Sequence, residues 1–79
     1  MSYERRNNEI LFEVEKHIGI LKEYDNGWKK ELNIVSWNGT EGKYDIRDWD
    51  EDHIHMTRGI TLKKDEMIKL IDLMVREEI

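Results

Sequence analysis

Residues 28–49, WKKELNIVSWNGTEGKYDIRDW, contain the side chains best suited to chemistry. All three tryptophans of the chain, Trp28, Trp37 and Trp49, lie there, among the cations Lys29, Lys30, Lys43 and Arg47. Indole rings stack on the exposed faces of unpaired bases, at roughly 1–3 kcal/mol per base. Lysine and arginine neutralise phosphates and release their counterions. Bases in a duplex are already stacked and cannot reach such rings. The mixture therefore suits a single strand.

Other chemistry is thinly represented. His53-x-His55, close to Asp50 and Asp52, offers imidazole and carboxylate ligands of the kind that hold zinc. No helical or strand spacing fixes them, so a solvated loop is the reading taken. No Ser/His/Asp set, phosphate-cradling glycine loop or paired acids stands out. His17 reads as structural or surface, and Met67 and Met74 as core or interface. The chain is expected to be neither an enzyme nor a holder of a cofactor or metal.

Strands must position the tryptophans. Residues 10–23 alternate as a first strand, bent at Gly19. Asn26-Gly27 is a strong hairpin signal. Residues 28–37 and 43–49 follow as strands joined by the glycine-rich turn 38–42. Residues 50–57 read as an acidic loop, and Gly59-Ile60-Thr61-Leu62 as a short fourth strand. Met67, Leu70, Ile71 and Met74 give the stripe of an amphipathic helix over 64–77, widened by Ile68 and Val75. Lys63 falls at its N-cap, where Glu66 can bond the cap N–H.

The order predicts an α+β fold: an antiparallel four-stranded sheet, β-β-β-β-α, with the helix on one face. Parity places Phe12, Val14, Ile18, Ile20, Leu32, Ile34, Tyr44, Ile46, Ile60 and Leu62 under the helix, with Trp28. The same alternation sends Lys29, Glu31, Asn33, Val35, Trp37, Lys43, Asp45, Arg47 and Trp49 to the opposite face, which is expected to be open.

At 79 residues and without cysteine the chain makes one small domain with no disulfide to staple it. Residues 1–9 read as a polar tail and 10–79 as the domain. The wide helix stripe and small core point to a homodimer. No run reaches the length of a membrane span and the start lacks a signal peptide's apolar core, so a soluble, cytoplasmic protein is expected. A net charge of −5 argues against simple polyanion binding. The acids gather at 48–52 and 77–78, whereas 28–49 is balanced and Arg58, Lys63 and Lys64 add cations without an acid.

YDIRDW at 44–49, RGITL at 58–62 and the terminal helix, in that order, resemble the positive cofactor 4 family of transcriptional coactivators. The similarity extends over roughly residues 10–76 and is strongest to its small bacterial YdbC-type members. The resemblance implies a curved four-stranded sheet backed by a C-terminal helix, a homodimer, no enzymatic activity, and single-stranded DNA bound with little sequence preference. It also implies that Trp37 and Trp49 stack on bases, that Lys43 and Arg47 meet phosphates or bases, and that Arg58 and Gly59 contact the backbone. Lys29 joins this set by parity. The chain departs from the family in lacking the serine-rich and lysine-rich extension of some eukaryotic members, and its 50–57 loop is acidic and free of proline. Single-stranded RNA is the alternative ligand, and a transcription-machinery protein gripped by the tryptophan face and acidic loop is the alternative partner.

Overall fold

Two asparagine-led turns set the order of the strands. At the first, Gly27 adopts φ 93° and the Tyr24 N–H donates to the Trp28 carbonyl at 2.8 Å. At the second, Asn38 and Gly39 both turn to positive φ, 53° and 77°, a region that asparagine and glycine enter at least cost. Asn38 also closes the neighbouring strand end. Its N–H donates to the Leu11 carbonyl at 2.6 Å, and its Oδ1 accepts from the Leu11 N–H at 3.0 Å.

The computed structural model describes residues 11–78. Its elements are β1 (Phe12–Glu23), β2 (Lys29–Trp37), β3 (Lys43–Trp49), β4 (Ile60–Leu62) and α1 (Lys64–Arg76). The strands lie side by side in chain order, each antiparallel to the next. The α+β class and the β-β-β-β-α order are those expected. The tail expected at 1–9 lies outside the described residues.

The faces differ from the parity reading, and β1 is the reason. Its pairing with β2 slips three times, between Val14 and Lys16, His17 and Gly19, and Ile20 and Lys22. Each bulge adds a residue and reverses the alternation that follows. Phe12 and Val14 precede the first slip and already stand opposite Trp37 and Val35, and two slips restore the same parity at Ile20, opposite Glu31. Cross-strand partners share a face. Phe12, Val14 and Ile20 accordingly leave the face that carries Leu32, Ile34, Tyr44 and Ile46.

The second correction concerns which face is closed. The side expected to be open carries the buried core: Val35 and Trp49, with the polar Glu31, Asn33 and Asp45. Bulges bend and coil a strand, and here the bent sheet rolls around this face. On the other side Leu32, Ile34, Tyr44 and Ile46 are only half-buried, and Ile60 is exposed.

The helix meets the sheet only along β3 and β4 and buries none of its described residues. Ile68, Leu70, Ile71, Leu73, Met74 and Val75 all remain exposed. Its start is as expected: the Lys63 N–H donates to Glu66 Oε1 at 2.7 Å. A lysine side chain has no acceptor to return, so this is half of a capping box. Asp65 and Glu66 then suit the positive end of the helix, and Arg76 the negative one.

Candidate nucleic-acid interface

The strand register lays the candidate residues out in rows. Lys29 lies opposite Trp49, Glu31 opposite Arg47, Asn33 opposite Asp45, and Val35 opposite Lys43. β1 extends these rows with Glu23, Ile20, His17 and Val14, and β4 places Thr61 beside Asp45. All of these side chains share the rolled face.

Rolling brings the ends of that face together. Phe12 lies 5.8 Å from Trp37 and 5.2 Å from Trp49, centroid to centroid and tilted in both cases. The Arg47 guanidinium sits 4.5 Å from the Trp37 ring centroid, within the range of a cation–π contact. Trp37 stays half-buried, whereas Trp49 is 0 % exposed and also meets the His53 ring at 5.4 Å.

Arg47 is held by more than the ring. Nε donates to Asp45 Oδ1 at 2.6 Å and Nη2 to Oδ2 at 2.7 Å. Such a two-pronged, charge-assisted pair fixes the plane of the guanidinium. Asp45 is 0 % exposed, the Arg47 side chain 13 %. The Thr61 hydroxyl adds a bond to Asp45 Oδ2 at 2.9 Å, and Arg47 Nη1 donates to the Thr57 carbonyl at 3.3 Å. Asp45 is the residue that orients Arg47 on this face.

Beside this pair lies a second polar network. Glu31 is 3 % exposed. It accepts from Asn33 Nδ2 at 3.0 Å and lies 3.0 Å from His53 Nε2 through both oxygens. His17 Nδ1 is 2.8 Å from Asn33 Oδ1 and 3.4 Å from Glu31 Oε1. Burial pulls the Glu31 carboxyl upward, but bonds from His53 and Asn33, with the nearby charge of His53 and His17, hold it below its ordinary value.

The loop 50–57 is thus not wholly solvated. His53 turns inward to Glu31, while His55 turns to Asp50, whose Oδ2 lies 2.8 Å from Nδ1. The two imidazoles serve different carboxylates and do not converge on one point. Burial raises the Asp50 carboxyl, but the His55 side-chain bond and the His55 and Ile54 backbone N–H bonds outweigh it and hold the carboxyl below its ordinary value.

The cations lie nearer the rim. Lys29 and Lys43 are half-buried and Arg58 is exposed. Lys43 faces a groove of about 550 Å³ that Lys63, Lys64, Glu41, Asp65 and Ile68 also line. Gly59 is pressed onto β3: a Cβ there would collide with the Ile46 carbonyl and Arg47 Cβ. Trp28, expected in the core, is half-buried on the opposite side. It borders a hollow of about 320 Å³ with Tyr24, Asn26, Asp48 and Thr57. There Lys30 Nζ meets Asp48 Oδ1 at 3.2 Å, and bonds to Tyr24 and Asp48 raise the Lys30 ammonium above its ordinary value.

Phe12, Glu31, Asn33 and His53 belong to this site and were absent from the residues singled out as binding. Alternation did place Glu31 and Asn33 on the correct face. The signal for a site role was their type: two polar side chains spaced among apolar partners in a central strand have to find each other when buried.

Comparison with known proteins follows the same outline. An uncharacterized protein of Treponema pallidum (strain Nichols) is 43 % identical over 68 residues, covering 86 % of this chain and 80 % of its own length. The model of the transcriptional coactivator p15 (PC4) family matches residues 24–73, from the first turn through most of α1. That match takes in more than half of the sequence, including β2, β3 and β4 and the whole Arg47–Asp45–Trp37 assembly, and the chain belongs to the transcriptional coactivator p15 (PC4) family.

Proposed function

We propose that this protein binds single-stranded nucleic acid, DNA in preference to RNA, with little sequence specificity and without catalysing a reaction. The observation that carries this reading is the Trp37 ring, half-buried and held by a guanidinium that is itself locked to Asp45. An ordered ring stacks on a base without first losing rotamer freedom. Lys29, Lys43 and Arg58 supply phosphate contacts around it. Arg47 backs the ring and adds positive potential, and Gly59 lets the chain before β4 lie close to β3. Trp49 stacks only after its cover is moved. Stacking and phosphate contacts read no base edges, hence the weak sequence preference.

The working unit in this reading is a homodimer in the cytoplasm. A contiguous apolar helix surface exposed to water marks an interaction site, and α1 offers one from Ile68 to Val75. A second copy of the same chain covers it and joins two rolled sheets. Transcription regulation, repair and replication all present single strands to such a module.

Oligo-dT is expected to quench tryptophan fluorescence, with an affinity that falls steeply as salt rises. An oligonucleotide that leaves the fluorescence unchanged at low salt argues against the reading. The second reading, a module gripping a protein of the transcription machinery, draws on the exposed acids Glu51 and Asp52 beside the site. It is favoured if Trp37→Ala abolishes partner capture and leaves oligonucleotide binding intact.

A further inference from the structure

We infer that residues 50–57 form a lid over Trp49, latched by the His53–Glu31 contact, and that a bound single strand opens it. The inference rests on the binding function proposed above, and it names what regulates that site.

The lid is a preformed unit. Asp50 Oδ1 accepts the Ile54 and His55 backbone N–H groups at 2.8 and 3.1 Å, and Oδ2 lies against His55 Nδ1. The Asp50 N–H donates to the His55 carbonyl, and the His53 N–H to the Asp50 carbonyl. Its neck is stapled to the sheet: the Thr57 N–H donates to the Asp48 carbonyl, and Thr57 Oγ1 accepts from the Asp48 N–H. Met56 belongs to this neck, bridging to Trp49 in the backbone and lying with Sδ 3.7 Å from Arg47 Nη1. Beyond it, among the described contacts, the exposed tip reaches the sheet's interior through His53, which touches Trp49 and Glu31.

Two features set this closed state against local cost. His53 lies at φ 59°, left-handed backbone that a residue with a Cβ adopts at an energetic penalty. The ring reaches Glu31 from that conformation. Beneath it, Trp49 Nε1 is buried without an acceptor, as is Trp37 Nε1. Buried donors are nearly always paired, and each exception carries the desolvation of its N–H group. Moving His53 aside relaxes the backbone and opens the side of Trp49 that His53 covers to water and to a second base, while Phe12 stays against the ring. A preformed loop with a fixed neck and a single latch opens as a unit rather than by unravelling.

The charged groups around the latch are His17 from β1, Lys29 from β2, Arg47 from β3, and Asp50, Glu51, Asp52 and His55 from the loop itself. Arg47 stands opposite Glu31 in register but bonds Asp45, which leaves Glu31 to the histidines and Asn33.

Indole N–H exchange, followed by NMR on the full chain, tests the lid because it resolves the three tryptophans separately. The Trp49 indole N–H is expected to exchange at least about tenfold faster than the Val35 amide, since opening the lid requires less than unfolding the sheet. His53→Ala and Glu31→Gln each speed it further, with the Val35 amide as the control for overall stability. Exchange of Trp49 at the Val35 rate, unmoved by either variant, overturns the lid. The unmodified chain alone decides this if a variant fails to fold.

Binding supplies the second arm. His53→Ala adds no positive charge, so a general electrostatic effect leaves oligo-dT affinity unchanged or lower. Loss of the latch instead raises it several-fold, because the open state is more populated before binding. Unchanged or weaker affinity with faster Trp49 exchange overturns the claim that the strand opens the lid. Faster exchange in a protein that binds no oligonucleotide upholds the latch and removes the binding function beneath it.

Discussion

Arg47 and Trp37 touch across the rolled sheet, guanidinium to ring centroid 4.5 Å, although the register pairs Arg47 with Glu31 near the far end of β2. In a straight strand those two positions of β2 would stand roughly 20 Å apart. The bulges of β1 and the curl they impose, together with the reach of two long side chains, close that gap. The site is thus a product of curvature more than of alternation, and substitutions in it divide into those that hold the curl and those that meet a ligand.

Arg47→Ala belongs first to the curl. It leaves Asp45 buried with only the Thr61 hydroxyl as partner. Removing one member of a buried ion pair costs about 3–5 kcal/mol. Urea denaturation should show a loss of that size. Arg47→Lys keeps the charge without the two-pronged geometry, and recovers only part of the stability.

Trp49 and Trp37 should separate cleanly. Trp49→Ala empties a fully buried position and is expected to destabilise the fold by about 3–5 kcal/mol. Trp37→Ala, at a half-buried position, should weaken oligonucleotide binding by about 1–3 kcal/mol and stability by less than Trp49→Ala. Isothermal titration together with urea denaturation of both variants measures the pair of effects.

Glu31 gives the fold a definite pH dependence. Its carboxyl is held low in the folded state, so the folded chain binds fewer protons there than the unfolded one. The stability it contributes is full above the unfolded glutamate value of about 4.3 and is lost as pH falls below it. Urea midpoints measured downward from pH 6 should therefore fall in the acid range, and Glu31→Gln should flatten that part of the curve.

The helix surface predicts the assembly. Ile71→Asp and Met74→Asp place charge in an apolar stripe that α1 leaves exposed. If a second copy covers the stripe, these variants sediment as monomers at concentrations where the unmodified chain sediments as a dimer. An unmodified chain that sediments as a monomer at micromolar concentration removes the dimer.

The sequence made the strands, turns and helix legible because each carries a local signal: Asn-Gly and Asn38-Gly39 for the turns, the Met67–Met74 spacing for α1. It also placed Lys29, Trp37, Lys43, Arg47 and Trp49 on one face, since β2 and β3 pair without a slip. The irregularity at Gly19 was legible, and Phe12, Val14 and Ile20 do share a face as alternation had them. The face of β2 they join was not legible, because the β1–β2 register sets them opposite Trp37, Val35 and Glu31. Burial followed the same failure. With Phe12 assigned to the wrong side, nothing in the pattern showed that Trp49 was covered, whereas two positions apart on one face of β3 already allowed Asp45 to pair with Arg47 and orient it. The inward turn of His53 depends on a left-handed backbone and a buried acid in another strand, and neither leaves a mark on the loop's own composition.

The most direct test of the account is a competition series in which oligo-dT, oligo-U and duplex DNA of equal length displace a labelled oligo-dT from the unmodified chain. Stacking on Trp37 predicts that oligo-dT competes best, oligo-U less well and duplex least, with affinities that decline as salt rises. Equal competition by duplex and single strand would contradict it, since paired bases offer that ring nothing to stack on.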